Sequence, residues 1–147
     1  MKDSAQKPHR SGCPISIALE IFGDRWSLLI LRDMIFGGKS TYRQFLDSEE
    51  AIATNILSDR LRSLEANGLI KKQGSPTDRR VKLFSVTEKG FALAPMLIEM
   101  ILWSAAHEDT AAPQEVLDLM VNDRDGFIES LRKKVALDDA ETADRQA

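Results

Sequence analysis

Between Ala53 and Gly68 the sequence reads ATNILSDRLRSLEANG, and its polar residues recur with helical spacing. Thr54, Asn55, Ser58, Asp59 and Arg62 fall on one side of a helix, opposite Ile56, Leu57, Leu61 and Leu64. Hydroxyls, an amide, a carboxylate and a guanidinium in one row offer hydrogen-bond donors and acceptors rather than a nucleophile with its base. That suits the reading of base edges in a DNA groove. Asn55 fits an adenine edge, Ser58 or Thr54 a base or a thymine methyl, and Arg62 either a guanine or a phosphate. Asp59 is open between accepting from cytosine, orienting Arg62 or Arg43, and repelling phosphates, while Arg60 is a candidate brace for the fold.

A second basic set follows closely. The stretches Leu69 to Gln73 and Val81 to Val86 have strand composition, and the loop between them, Gly74-Ser75-Pro76-Thr77-Asp78-Arg79-Arg80, ends in adjacent arginines. Such a hairpin is either an edge protected by its charge or, placed directly after a recognition helix, a wing whose Arg79 and Arg80 meet phosphates or a minor groove. Arg25, Lys39 and Arg43 complete a phosphate-contacting set.

A polar row can read DNA only if its opposite side is anchored. Gly68 can take the left-handed position after the helix while Leu69 folds back on Leu64. At the other end, the cap is Ala53, with Ile52 and Leu57 as a hydrophobic staple, or Thr54. Upstream, Pro14 opens a helix with the apolar stripe Ile15, Ala18, Leu19 and Phe22, and Asp24 caps a strongly apolar helix from Arg25 to Phe36. Thr41 to Gln44 has capping-box form and opens a short helix carrying Tyr42, Phe45 and Leu46. Two short helices joined by a polar turn, then a hairpin, predict a winged helix-turn-helix. Downstream, Thr87 caps a long helix from Glu88 to about His107, kinked at Pro95, with more apolar surface than one core can cover. Further helices are expected from Pro113 and, after an Asn122 cap, from about Asp123. The predicted class is therefore mainly α (α+β), with a two-stranded β wing and C-terminal dimerisation helices.

The order and types of these residues resemble the HxlR-type transcriptional regulators, a group close to the MarR-type winged-helix proteins. The resemblance rests on Cys13-Pro14, on Gly23-Asp24-Arg25-Trp26 with Leu28-Leu29-Ile30, and on Ile56 to Glu65 followed by Gly68-Leu69. The wing, Asp78-Arg79-Arg80 to Val86-Thr87-Glu88-Lys89-Gly90, is nearer the MarR signature. The resemblance implies a bacterial regulator, more often a repressor than an activator, that binds a pseudo-palindromic operator in double-stranded DNA. It implies a homodimer joined through the first and long C-terminal helices. It also carries Thr54, Asn55, Ser58, Asp59 and Arg62 over as the major-groove set, with Arg79 and Arg80 at the wing tip. Ala53 departs from the family's serine cap and Thr54-Asn55 from a longer pair, so no base preference carries over. Residues 1–12 are expected to be a disordered basic arm, 13–107 the DNA-binding domain with its dimerisation helix, 108–137 accessory helices and 138–147 a disordered acidic tail.

Charge and composition set further bounds. Residues 1–38 hold five Lys/Arg against four Asp/Glu, residues 39–89 ten against seven, and residues 91–147 five against twelve. A net charge of −3 therefore conceals a basic middle. No run reaches the roughly 18 consecutive apolar residues of a membrane span, and the N-terminus lacks a signal-peptide core, so a cytoplasmic protein is expected. Cys13 is the only cysteine, which excludes an intrachain disulfide. It is either a sensor of oxidants or electrophiles at a helix N-terminus or an inert thiol buried at a dimer seam. Trp26, Phe91, Met100 and Trp103 are candidates to line a small-molecule pocket at the dimer interface, with core packing the bland alternative. No catalytic, metal or cofactor motif is present, so enzymatic activity is not expected. The competing function is a winged-helix module that binds protein through its acidic C-terminal half.

Overall fold

A computed structural model describes the backbone of residues 7–144 and the side chains of residues 7–135. Eight helices and one antiparallel hairpin are seen among these residues. Helix α1 (Pro14–Phe22) starts on its proline, and α2 (Arg25–Ile35) is capped by Asp24, whose carboxylate accepts from Ser27 N–H at 2.9 Å. Helix α3 (Tyr42–Leu46) has a full capping box between Thr41 and Gln44. Helix α4 (Thr54–Ala66) begins after Ala53, which as N-cap supplies no side-chain hydrogen bond. Ile52 and Leu57 are both buried in the core, as the staple requires.

The end of α4 is held on several sides. Gly68 sits at φ +78°, its N–H donates to Glu65 C=O, and Leu69 N–H donates to Leu64 C=O, each at 3.0 Å, the two bonds of a Schellman motif. Strands β1 (Ile70–Gly74) and β2 (Lys82–Val86) then pair from Ile70 opposite Val86 to Gly74 opposite Lys82. The segment before α3 joins the same sheet through a bridge between Thr41 and Leu83, with Phe84 N–H donating to Ser40 C=O at 2.8 Å. Nothing in the composition of Ser40-Thr41 signals this docking, because it is a long-range backbone pairing.

Beyond the hairpin, the structure differs from expectation in three places. The single kinked helix is two: α5 (Glu88–Phe91) and α6 (Ala94–His107). Pro95 lies in the first turn of α6, where its missing N–H costs nothing, so the chain restarts instead of bending. Helix α7 (Gln114–Asn122) is followed by α8 (Arg124–Asp144), and Asp123 rather than Asn122 caps α8 by accepting from Gly126 N–H. Helix α8 also continues into the segment expected to be a disordered tail. Alanine and glutamate there are good helix formers whatever their net charge. Residues 145–147 of that tail, and residues 1–6 of the basic arm, lie outside the described residues. Within the arm, His9 and the Arg10 N–H are tied to Glu20 of α1, at 2.7 and 3.0 Å.

The core joins α2, α3, α4, the hairpin and α5 through Leu31, Ile35, Phe45, Leu57, Leu64, Ile70 and Phe91, all buried. Phe127, Ile128, Leu131 and Val135 of α8 pack onto it. In contrast, α1 buries no residue of its own, leaving Ile15 72% and Leu19 59% exposed, and α6 leaves Trp103 62% exposed. Glu88–His107 is by length and composition apolar enough to cross a membrane, although it is divided between two helices.

The tightest steric point is Gly90. A Cβ there would lie 2.2 Å from the Leu69 carbonyl oxygen and 2.7 Å from a Val86 methyl. Gly90→Ala should therefore lower unfolding free energy by roughly 2–3 kcal/mol in denaturant titrations, whereas Gly74→Ala, with open space around it, should stay within about 0.5 kcal/mol.

Candidate nucleic-acid interface

Burying Leu57, Leu61 and Leu64 turns the opposite side of α4 outward. Thr54, Asn55, Asp59 and Arg62 are exposed and Ser58 is half-buried. Helix α3 supports this row from the side: Tyr42 Oη donates to Thr54 C=O at 2.9 Å and lies 3.2 Å from Ser58 Oγ. Between α3, α4 and the hairpin runs an open groove of about 700 Å³, into which Arg43, Ser58, Arg62, Lys72, Arg80 and Lys82 face. The structure thus gathers residues from three separated stretches on one side. Lys72 and Lys82, part of the basic charge that the sequence concentrates on the hairpin, join the groove from the two paired strands, Lys72 opposite Phe84 and Lys82 opposite Gly74. Arg79 is exposed in the wing loop and Arg25 at the first turn of α2.

Several charged residues are committed elsewhere. Arg60 Nε approaches Asp24 at 3.0 Å, joining α4 to the cap of α2, and its guanidinium also pairs with Asp59 at 3.0 Å. Burial raises the Asp24 pKa, yet hydrogen bonds from Ser27 and the Arg60 charge hold it below the usual carboxylate range. Arg60 is therefore the brace, and Asp59 is oriented by it rather than by Arg62 or Arg43. Lys39 donates to Ser48 at 2.6 Å and lies 3.7 Å from the buried Asp33. Its half-buried ammonium thus ties the turn to the interior of the helix-turn-helix. Arg80 is held by Asp78 in the wing loop at 3.2 Å, which pulls the Asp78 carboxyl down while the guanidinium stays exposed.

The turn before α4 carries strain and a clamp. Ala51 has φ +57°, a left-handed conformation costing a side chain about 1–2 kcal/mol. Next to it, Glu50 takes a two-pronged bond from Arg32 of α2, at 2.7 and 2.8 Å. Arg32 also donates to Asp33, which in turn accepts from Ser48 at 2.6 Å. The Arg32 hydrogen bonds bring Glu50 down to about 2, and the pair raises Arg32.

Within one copy, the four residues suggested for a pocket at the dimer interface lie on separate faces. Trp26 borders only a cleft of about 10 Å³ beside Asp33. Phe91 is buried with the Arg132 guanidinium 4.5 Å above its ring, and Trp103 is exposed and stacked on His107. Met100 alone borders a larger groove between α2 and α6. Helical spacing could not distinguish these separate faces. Cys13 is exposed at the N-cap of α1, so within one chain it is not buried.

The family described as HxlR-like helix-turn-helix matches residues 21–112. The chain is 28% identical over 102 residues to the HTH-type transcriptional regulator YybR of Bacillus subtilis, covering 69% of this chain and 81% of the relative. The reduced form of the transcriptional regulator YodB from B. subtilis superposes with a TM-score of 0.53 at 29% identity, covering 66% of this chain and 95% of YodB. The redox regulator HypR in its oxidized form gives 0.58 at 26% identity, covering 67% and 100%. Helices α7 and α8 lie beyond the family match.

The Arg32–Glu50 clamp yields a pH-resolved expectation. Because the folded Glu50 pKa lies near 2 against an ordinary 4.5, the stabilisation is complete above about pH 4.5 and fades as pH falls toward 2. Both partners are about one-third exposed, so solvent screening keeps the loss in Glu50→Gln to about 1 kcal/mol or less at pH 7. Melting curves of the two proteins should converge on acidification.

Proposed function

Because this chain belongs to the HxlR-like helix-turn-helix family of transcriptional regulators, which are not enzymes, we propose that it binds a pseudo-palindromic operator as a homodimer and acts as a repressor. The observation that carries this reading is the groove between α4 and the wing. Its cations belong to three elements, and directly beside it stands the exposed row from Thr54 to Arg62. Phosphate contacts from Arg25, Arg43, Arg79 and Arg80 would set position and salt dependence, while Thr54, Asn55, Ser58 and Arg62 read bases. Dimerisation is supported by what a single copy leaves uncovered, namely Ile15 and Leu19 on α1 with Met100 and Trp103 on α6. A second copy pairing these faces would present two α4 helices to successive major grooves. A protein-docking module is the competing reading, and steep salt dependence of DNA binding separates the two.

A redox response is the favoured form of regulation, because HypR is a redox regulator and Cys13 stands exposed at the start of α1. Oxidation by peroxide would join two Cys13 thiols across a dimer, forming one S–S bond while the peroxide is reduced to two waters. An electrophile adduct on the same sulfur is the alternative chemistry.

Footprinting on DNA beside the gene should protect two half-sites, and deleting the gene should raise the adjacent transcript. Asn55→Ala should cost about 1–3 kcal/mol on the operator and relax one position, whereas Arg79→Ala should weaken all sequences alike and reduce the salt slope by about 1. Equal losses on operator and random DNA for both variants would contradict this division.

Peroxide should convert the wild type, and not Cys13→Ser, to a disulfide-linked dimer on non-reducing gels and lower its operator affinity. Unchanged affinity after complete oxidation would remove the redox reading.

A further inference from the structure

The direction of the hydrogen bonds around Tyr42 limits what Ser58 can offer a base. Tyr42 Oη contacts two atoms of α4, the Thr54 carbonyl at 2.9 Å and Ser58 Oγ at 3.2 Å. A carbonyl can only accept, and a phenol has one proton. That proton goes to Thr54, so the second contact is a hydrogen bond only if the serine hydroxyl donates to Tyr42 Oη. Both protons are then used. Ser58, half-buried and lining the basic groove beside Arg62, is left with lone pairs to present outward.

Resting on the operator-binding reading above, we propose that Tyr42 is a positioning residue that sets base specificity by holding Ser58 as a hydrogen-bond acceptor. In the major groove, adenine N6 and cytosine N4 carry donors, while guanine and thymine present only acceptors and a methyl group. The base meeting Ser58 is therefore adenine or cytosine. Without the phenol, the serine proton is released and the same side chain can donate to guanine or thymine. No change in the shape of α4 is needed for that reversal.

The test is selection of binding sites from a random duplex pool, followed by competition with single-base variants. It uses the full-length wild type, Tyr42→Phe, Ser58→Ala and the double variant. Wild type should prefer adenine or cytosine at one position of each half-site by about tenfold, near the low end of what one mismatched base pair costs. Ser58→Ala should flatten that position alone. Tyr42→Phe should flatten it or shift it toward guanine or thymine, with melting temperature and affinity for random DNA close to wild type. The double variant should match Ser58→Ala. A purely supporting role for Tyr42 would weaken every sequence and move no base preference. An unchanged profile in Tyr42→Phe overturns the proposal and leaves operator binding standing. So does a wild-type preference for guanine or thymine at the position Ser58→Ala flattens, whether or not Tyr42→Phe folds. A wild type with no sequence preference overturns both.

Discussion

The interface depends on how α4 is held from behind. Its outer row can stay free only because Leu57, Leu61 and Leu64 are buried and the following turn is fastened to a later part of the chain. The fastening centres on one carbonyl. Leu69 C=O accepts from Thr87 N–H at 3.0 Å and lies 3.1 Å from the Thr87 hydroxyl, which donates to the neighbouring Gly68 C=O at 2.6 Å. Lys89 Nζ adds a bond to Asn67 C=O at 2.8 Å. Gly90 has no side chain because that carbonyl occupies the space. The short α5 is thus a latch that closes the hairpin and aims the end of α4 in one step. This explains why the motif Val86-Thr87-Glu88-Lys89-Gly90 belongs with the wing physically as well as in sequence.

The front of α4 is governed by a different kind of interaction. Ala51 is held in a conformation its side chain disfavours, and only a surrounding structure that over-determines the turn can keep it there. The Arg32–Glu50 fork, the Asp33–Ser48 bond and the Lys39–Ser48 bond supply that restraint, tying the turn to α2. Arg60 repeats the arrangement further along, connecting α4 to the cap of the same helix. Helix α2 is therefore the frame against which the recognition helix is set, through its apolar face in the core and through ion pairs at its margin.

Most of this was legible in the sequence where the cause was local. The end of α4, the α2 cap, the capping box of α3 and the hairpin follow from short-range rules about glycine, side-chain caps and period. What escaped was decided by pairing over distance. Ser40 and Thr41 docking on β2 has no local signature, and neither does the pairing of Arg60 on α4 with Asp24 at the cap of α2. The division of Glu88–His107 into two helices was local, but Pro95 supports two outcomes, and Leu93 N–H bonding Gly90 C=O at 3.1 Å selects the restart. The four residues suggested for a pocket at a dimer interface lie apart within one copy for a geometric reason. Apolar residues at helical spacing say that a helix has apolar faces, not which of them meet.

Counting charge along the chain overstates the field that a DNA duplex would meet. Of the ten Lys/Arg between residues 39 and 89, Lys39 is turned inward and Arg60 is spent on Asp24 and Asp59. Lys89 is engaged by the α4 terminus, and Arg80 is partly neutralised by Asp78. Arg43 makes only a long, exposed pair with Asp47 at 3.7 Å. What remains directed at the groove is Arg43, Arg62, Lys72 and Lys82 together with the exposed, partly neutralised Arg80, and Arg79 stands beside it on the wing tip. Cations locked into short pairs contribute little to counterion release, since the charge they neutralise is already the protein's own. The acidic C-terminal third likewise includes pairs closed within the fold, Glu99 with Arg124 and Glu88 with Arg132 among the residues around it. A net charge of −3 is thus compatible with a basic groove, because attraction to a duplex depends on cations within about a Debye length of it, and those are clustered on α3, α4 and the wing.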